Sequence, residues 1–421
     1  MRRFPPNFSG GNDVGGKSST SIAGAFVAIA SVLLAVTIAS PARAASFTVT
    51  NLNTAGPGSL PDTIAAANGA AGANTIQFAS GLAGTINLTS TLPAITSALT
   101  IAGPTGSLGI TISGGGAVQL MQVNAGATLN LQFLTLANGS VTGIFGSNGE
   151  GGGIFNSGTV TVTNSTFSAN QATGGATGVG NGGEGHGGAI FNDGVLTASN
   201  STFSANQVTG GATSDGNGAG GVGLGGAIFN QGTVTVINSS FSGNQALGGD
   251  SIAVSRFGGG GAIFDGNASA VLSVTNCTFS SNLAAFGGAI LNFNGAASFK
   301  GSILAASAGS NCVVVTAVTD AGYNISDDNS CGFSTTSSKN NTDPRFAIAG
   351  LASNGGPTQT IALHPSSPAI DAIPFTSCTD QTTPTPSQLT TDQRGMPRPD
   401  SNDNHAACDV GAYESGKHQD D

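Results

Sequence analysis

The sequence predicts an all-β chain wound as a right-handed parallel β-helix, and three observations predict it. A hexad recurs as Gly151-Gly152-Gly153-Ile154-Phe155-Asn156, Gly187-Gly188-Ala189-Ile190-Phe191-Asn192 and Gly225-Gly226-Ala227-Ile228-Phe229-Asn230, then in altered form at Ile263 and Ile290. An F-x-x-N segment follows the hexad isoleucine after thirteen residues in three copies (Phe167–Asn170, Phe203–Asn206, Phe241–Asn244) and after sixteen in the fourth (Phe279–Asn282). Between them, Thr159-Val160-Thr161-Val162-Thr163 and Thr233-Val234-Thr235-Val236 alternate with period two, as a strand with one buried face does.

A single repeat of this size cannot bury its own apolar residues, whereas stacked repeats can. Each rung is expected to hold three short strands, around Ile154, Val162 and Phe167, with isoleucine stacked on isoleucine. Phe167, Phe203, Phe241 and Phe279 are then one internal ladder. Asn164, Asn200, Asn238 and Asn276 share one turn position and are expected to form a second ladder, their side chains hydrogen-bonded along the axis. The Gly-rich stretches after Asn170, Asn206 and Asn244 vary in length and read as loops leaving one side of the rungs. A propeller is excluded, because the 27 residues from Ile263 to Ile290 are too few for a blade of about 40–50 residues.

The elements follow in order. Residues 1–44 read as a secretory signal peptide: Arg2, Arg3 and Lys17, an apolar run from Ile22 to Ala39, then Ala42-Arg43-Ala44 as an A-x-A cleavage site. Residues 45–138 read as an N-terminal cap and the first coils. A short helix is expected near Pro61, where Ser59 precedes it, Asp62 sits in its first turn and Gly69 follows; it would close the open end of the solenoid. Residues 139–305 are the repeats, and residues 306–421 are a separate C-terminal region. No second hydrophobic span follows the signal, so no transmembrane segment is expected after cleavage.

Composition narrows the function. The chain has 421 residues, 67 Gly and no Trp, and only 8% of its residues are charged. After cleavage, 7 basic and 20 acidic residues remain, 13 of the acids from Asp320 onward. That balance gives no footprint for nucleic acid and argues against electrostatic attachment to anionic lipid. Five cysteines in an exported chain suggest disulfides. The four C-terminal ones allow three pairings; Cys312 with Cys331 and Cys378 with Cys408 each bracket a compact loop and are favoured. Cys277 remains as a buried thiol.

The paired G-G-A-I and F-x-x-N motifs resemble the repeats of the polymorphic outer membrane protein family. The opening Asn53-Thr54-Ala55-Gly56-Pro57-Gly58-Ser59-Leu60 looks like the start of many secreted bacterial β-helix proteins. The C-terminal third is similar to the choice-of-anchor Q domain in Asn354-Gly355-Gly356-Pro357-Thr358, Ser367-Pro368-Ala369-Ile370-Asp371, Asp392-Gln393-Arg394-Gly395 and Cys408-Asp409-Val410-Gly411-Ala412-Tyr413-Glu414. These resemblances imply an extracytoplasmic, secreted or cell-surface protein and imply no chemistry.

Two classes of function fit: a non-enzymatic surface solenoid that contacts glycans or other surface proteins, and a polysaccharide lyase or hydrolase on the same scaffold. His186 lies in a Gly-His-Gly triplet, which polygalacturonases also contain, with Glu184 and Asp193 nearby in sequence. Inverting hydrolysis needs two carboxyls about 6.5–9.5 Å apart. The acids of the rungs, Glu150, Glu184, Asp193, Asp215, Asp250 and Asp265, are scattered, and Arg256 and Lys300 are the only bases between residues 46 and 318. No catalytic, metal-binding or cofactor-binding residue is assigned. His186, His364, His405 and His418 lack zinc spacing, Asp215 is alone in its Gly-rich segment, and Asp392 with Arg394 reads as a salt bridge. The scarcity of acids favours the non-enzymatic class.

Overall fold

The structure, a computed structural model, describes residues 43–106, 109–400 and 407–416. Most of the expected signal peptide lies outside the described residues. Beyond it the chain is a right-handed parallel β-helix whose coils build three long sheets. Sheet one has ten strands, from Ser46–Val49 to Thr319–Asp320; sheet two has nine, from Gly84–Asn87 to Ile325–Ser326; sheet three has seven, from Met121–Val123 to Cys312–Val314. The pairing is parallel throughout all three, at the usual spacing of about 4.8 Å per rung.

The core is a set of identical-residue stacks. In sheet three, Ile154, Ile190, Ile228, Ile263 and Ile290 are register partners and fully buried. In sheet two, Phe167, Phe203, Phe241 and Phe279 stack with ring centroids 5.1, 4.7 and 4.7 Å apart. At the N-terminal end the helix α1 (Leu60–Gly69) buries Leu60, Ile64 and Ala67 in the same core. Ser59 caps it by accepting a hydrogen bond from the Asp62 N–H, and Pro61 sits in the first turn, where a missing N–H costs nothing.

The asparagine ladder falls at other residues than expected. Asn164, Asn200, Asn238 and Asn276 do share a turn, between sheets one and two, with φ of 46–52°. Their role there is to hold the left-handed backbone, which asparagine tolerates better than most residues. Among the described residues their side chains are not hydrogen-bonded to one another; Asn238 Nδ2 donates instead to Thr391 O at 2.9 Å. The buried ladder is made by the last residue of F-x-x-N: the Nδ2 of Asn170, Asn206 and Asn244 each donates to the next Oδ1 at 2.9 Å. A second ladder runs Asn156–Asn192–Asn230–Asp265 with steps of 2.7, 2.9 and 2.7 Å. Inward-pointing amides must find partners, and the rung above offers one; the corner residue faces outward.

The Gly-rich stretches are not surface loops. They leave the rungs at one point, after Asn170, Asn206 and Asn244, and then pair with one another as a flap of four layers. Outgoing strands Ser140–Thr142, Gln171–Thr173, Gln207–Thr209 and Gln245–Leu247 form one four-stranded parallel sheet. Returning strands Gly149–Glu150, Gly185–His186, Gly223–Leu224 and Gly258–Gly259 form another. Between the two lie glycine backbone and one row of small side chains, among them Val141, Ala172, Val208 and Ala246. A chain of N–H···O bonds zigzags from Gly249 to Gly221, Gly211, Gly183, Gly175 and Ser147, each donating to the next at 2.7–2.9 Å. A Cβ on Gly221 would overlap Gly183 O, and one on Gly182 would overlap Gly211 O, so only glycine fits. This is why a segment poor in apolar residues is ordered.

The C-terminal region completes the coil with the Cys312–Cys331 disulfide, then runs back along the solenoid over sheet two. Thr202 Oγ1 donates to Gln359 O at 2.6 Å, Ser240 Oγ to Gln393 Oε1 at 2.7 Å, and the Ala412 N–H to Thr278 Oγ1 at 3.0 Å. Ile303, Leu363, Ile373 and Val410 share a small apolar core under this strap with the Cys378–Cys408 disulfide. Cys277 is a buried free thiol, pushed up to about 12 by burial. It stands where other rungs carry Ser165, Ser201, Ser239 and Ser302, and its backbone N–H donates to Ser302 Oγ at 3.1 Å as Ser165 N–H does to Ser201 Oγ. Among the described residues no helix is long and apolar enough to cross a membrane.

Candidate functional site

Among the described residues, one cluster of acids surrounds a histidine, and it lies at the seam between flap and barrel. In the hexad, Ile points inward and the next residue, Phe, outward. The outward residues form a second stack that the composition alone did not reveal: Phe155, Phe191, Phe229 and Phe264, with centroids 4.9, 5.3 and 5.0 Å apart. The returning strands of the flap lie over it. His186 is one of their residues, and its ring stacks on Phe229 at 4.2 Å. The signal for this stack was present in the Ile-Phe order shared by the first four repeats, since alternation puts neighbours on opposite faces.

The register that places His186 also places its partners. Glu150 is its neighbour in the layer below, and Glu184 is two residues before it on the same strand face. His186 Nε2 lies 3.0 Å from Glu184 Oε2, a hydrogen bond, and Nδ1 lies 3.5 Å from Glu150 Oε1, an ion pair. Burial works against charge on His186, but the two carboxylates outweigh it and hold the imidazolium above the ordinary histidine range. Reciprocally, His186 holds both glutamates below the usual carboxylate range despite their partial burial. The cluster therefore favours the charged form of each of its three groups, and the imidazole is stacked against aromatic rings.

Asp193 does not join them. It follows Asn192 in the next turn, where its backbone N–H donates to Asn156 O at 2.8 Å. Asp215 is used inside the flap, accepting from the Gly180 N–H at 2.6 Å and the Asn217 N–H at 2.9 Å. Asp265 replaces an asparagine in the second ladder. Its Oδ1 accepts from Asn230, while its Oδ2 and the Asn292 Oδ1 of the next rung are both buried without a partner. Burial pushes this carboxyl up to about 6.

A second concentration of charge belongs to the strap. Arg394 pairs with Asp392 at 2.7 Å and lies over the Tyr413 ring; Arg398 lies 3.3 Å from Glu414. The acids here are occupied by main chain: Asp392 accepts from the N–H groups of Arg394, Met396 and Glu414, Asp409 from those of Asp371 and Ser415, and Glu414 from that of Asp409. Burial raises Glu414 to about 8. Near the last coil, Asp327 and Asp328 likewise bind the backbone of Ala306 and Asn311. Among the described residues no three His, Cys, Asp or Glu side chains are grouped as a metal site requires. No protein-family model matches the chain, and no curated protein matches it.

Proposed function

We propose that this chain is an exported, non-enzymatic β-helix that acts at or outside the cell surface by contact with glycans or other surface proteins. The observation that supports it most is the state of the His186 cluster. Hydrolysis of a glycoside needs one carboxyl that is protonated at working pH, so its affinity for a proton must be raised. Glu150 and Glu184 are shifted the other way and are engaged with His186. β-Elimination needs a base free to approach a substrate; of the two in the coils, Arg256 and Lys300, Lys300 is engaged with Thr379 at 2.5 Å. The export signal in residues 1–44 and the likeness of the repeats to the polymorphic outer membrane protein family support the location.

The test pairs two assays on the mature chain. Incubation with pectin, alginate and related polymers is expected to release no reducing ends or unsaturated products, while the same polymers or whole cells retain the protein in a pull-down. Turnover that is lost in Glu184→Gln or His186→Gln would replace this reading with an enzymatic one.

A further inference from the structure

Each of the three long sheets turns one face outward, and the chain covers two of those faces itself. The strap lies over sheet two, and the flap lies over the phenylalanine stack of sheet three. Sheet one meets the strap at its last coils, where Gln381 Nε2 donates to Thr275 Oγ1 at 2.9 Å. From Asn74–Phe78 to Thr233–Ile237, its outward side chains are all partly or fully exposed. They stand in files, because the register does not slip between coils. One file runs Thr75, Thr100, Asn130, Thr161, Thr197 and Thr235, each the partner of the next. Beside it, two residues earlier in each strand, Thr128, Thr159, Val195, Thr233 and Val271 are β-branched in five consecutive coils. None of the seven strands from Asn74–Phe78 to Val271–Thr275 contains a charged residue.

We propose that this open face of sheet one binds ice. It has two properties that a crystal demands of a binding surface and a soluble partner does not: it is periodic in two directions, and it is flat. Its side chains repeat about every 4.8 Å from coil to coil and about every 6.6 Å from file to file along a strand. Water molecules at the surface of ice repeat at intervals close to both. Neighbouring strands of an ordinary sheet turn by about 20–25°. Here the stacked rings of Phe167, Phe203, Phe241 and Phe279 differ by 7°, 3° and 9° from coil to coil, and a coil turns as one body, so sheet one shares that small twist. Threonine and valine are stiff at χ1, so successive coils hold their methyl and hydroxyl groups in repeated positions. Hydroxyls can then stand where lattice water would, with methyls between them, and no charge has to be stripped of its hydration. The chemistry of the face selects this occupant over a macromolecule. A protein partner seeks aromatic or arginine anchors, and a polysaccharide seeks rings to stack on; these files carry neither. Many weak, identical contacts suffice when the partner presents all of its positions at once. The inference does not rest on the proposed contact with glycans or surface proteins.

The experiment grows ice slowly from a dilute solution of residues 45–421 and measures the protein taken into the ice against that left in the liquid. The chain is expected to enter the ice at least tenfold more than its Thr197→Tyr variant, whose ring breaks the plane of the file. It is also expected to keep the grains of a frozen film small at concentrations where that variant lets them coarsen. Thr161→Lys, which sets a charge in the same file, is expected to behave as Thr197→Tyr does. Both side chains point out of the barrel, so the melting transition of each variant is expected to stay in place. Ile144→Lys, exposed on the flap, is expected to leave uptake into ice unchanged. Exclusion of the unsubstituted chain from ice overturns the proposal, and so does uptake that survives both Thr197→Tyr and Thr161→Lys. Retention on crystalline cellulose without uptake into ice would give the face to a polysaccharide instead.

Discussion

Barrel and flap solve the same problem with opposite materials. In the barrel, each rung buries isoleucine and phenylalanine, and order follows from apolar area removed from water. In the flap, the space between the outgoing and returning strands holds hardly any side chain, and order follows from N–H···O bonds between glycines packed at backbone distance. The two are joined by the outward phenylalanines, which the flap covers and which need it. The lesson is that a glycine-rich segment beside a repeat can be a second, backbone-filled layer of the fold, provided the repeat holds its two arms at a fixed distance.

The largest effect is expected in the barrel. Phe203→Ala removes a fully buried ring from the middle of a stack and is expected to lower stability by about 3–5 kcal/mol, measured by denaturant unfolding. The matching change in the outer stack, Phe229→Ala, is expected to cost less, and hydrogen exchange should rise in the flap before it rises in the barrel. Equal protection in both would mean that the two regions unfold as one.

Next comes Asp265. The cost of ionising it in the barrel wall is present at neutral pH. Its folded-state carboxyl is raised to about 6, against an ordinary value near 3.8, so the folded chain binds the proton more tightly. Stability from this group is therefore full below about pH 4 and is lost as pH rises through about 6. Asp265→Asn restores a donor toward Asn292 and is expected to gain about 2–3 kcal/mol at pH 7 and nothing at pH 4. Thermal melts at the two pH values check it, and a gain at both would refute the assignment.

In the flap, Gly221→Ala sets a methyl against Gly183 O. Such overpacking costs about 1–3 kcal/mol. Because the barrel does not depend on that contact, proteolysis is expected to cut between Gly174 and Val222 while the global melting temperature moves little. The smallest effect is at the seam. Glu150→Gln with Glu184→Gln is expected to return the His186 titration, followed by NMR, toward or below its ordinary range, since burial then acts unopposed. An unmoved titration would show that the carboxylates do not set it.

What could be read in advance divides along the same line. Stacks of isoleucine and phenylalanine announce themselves because identical residues at a fixed offset have one explanation, and the cysteines bracket short loops that the two disulfides close. The turn asparagines misled, because spacing alone cannot tell a residue chosen for its backbone from one chosen for its side chain. Asn170 and its equivalents were in plain view in F-x-x-N. The flap was illegible, because glycine gives no hydrophobic pattern and its pairing depends on inserts of unequal length. The His186 cluster was half visible: Glu184 is a near neighbour in sequence, but Glu150 reaches it only through register, 36 residues away.

The strap over sheet two has a mechanical consequence. A bare solenoid under tension can peel open one coil at a time, because each coil grips only its neighbours. Here residues near Gln359, Gln393 and Ala412 are fastened to coils carrying Thr202, Ser240 and Thr278, which lie 134 to 191 positions earlier in the chain. A pull along the long axis loads these fastenings together, in shear, and the Cys378–Cys408 link keeps the strap from paying out its slack. The middle coils are thus splinted against a force that would unravel them singly.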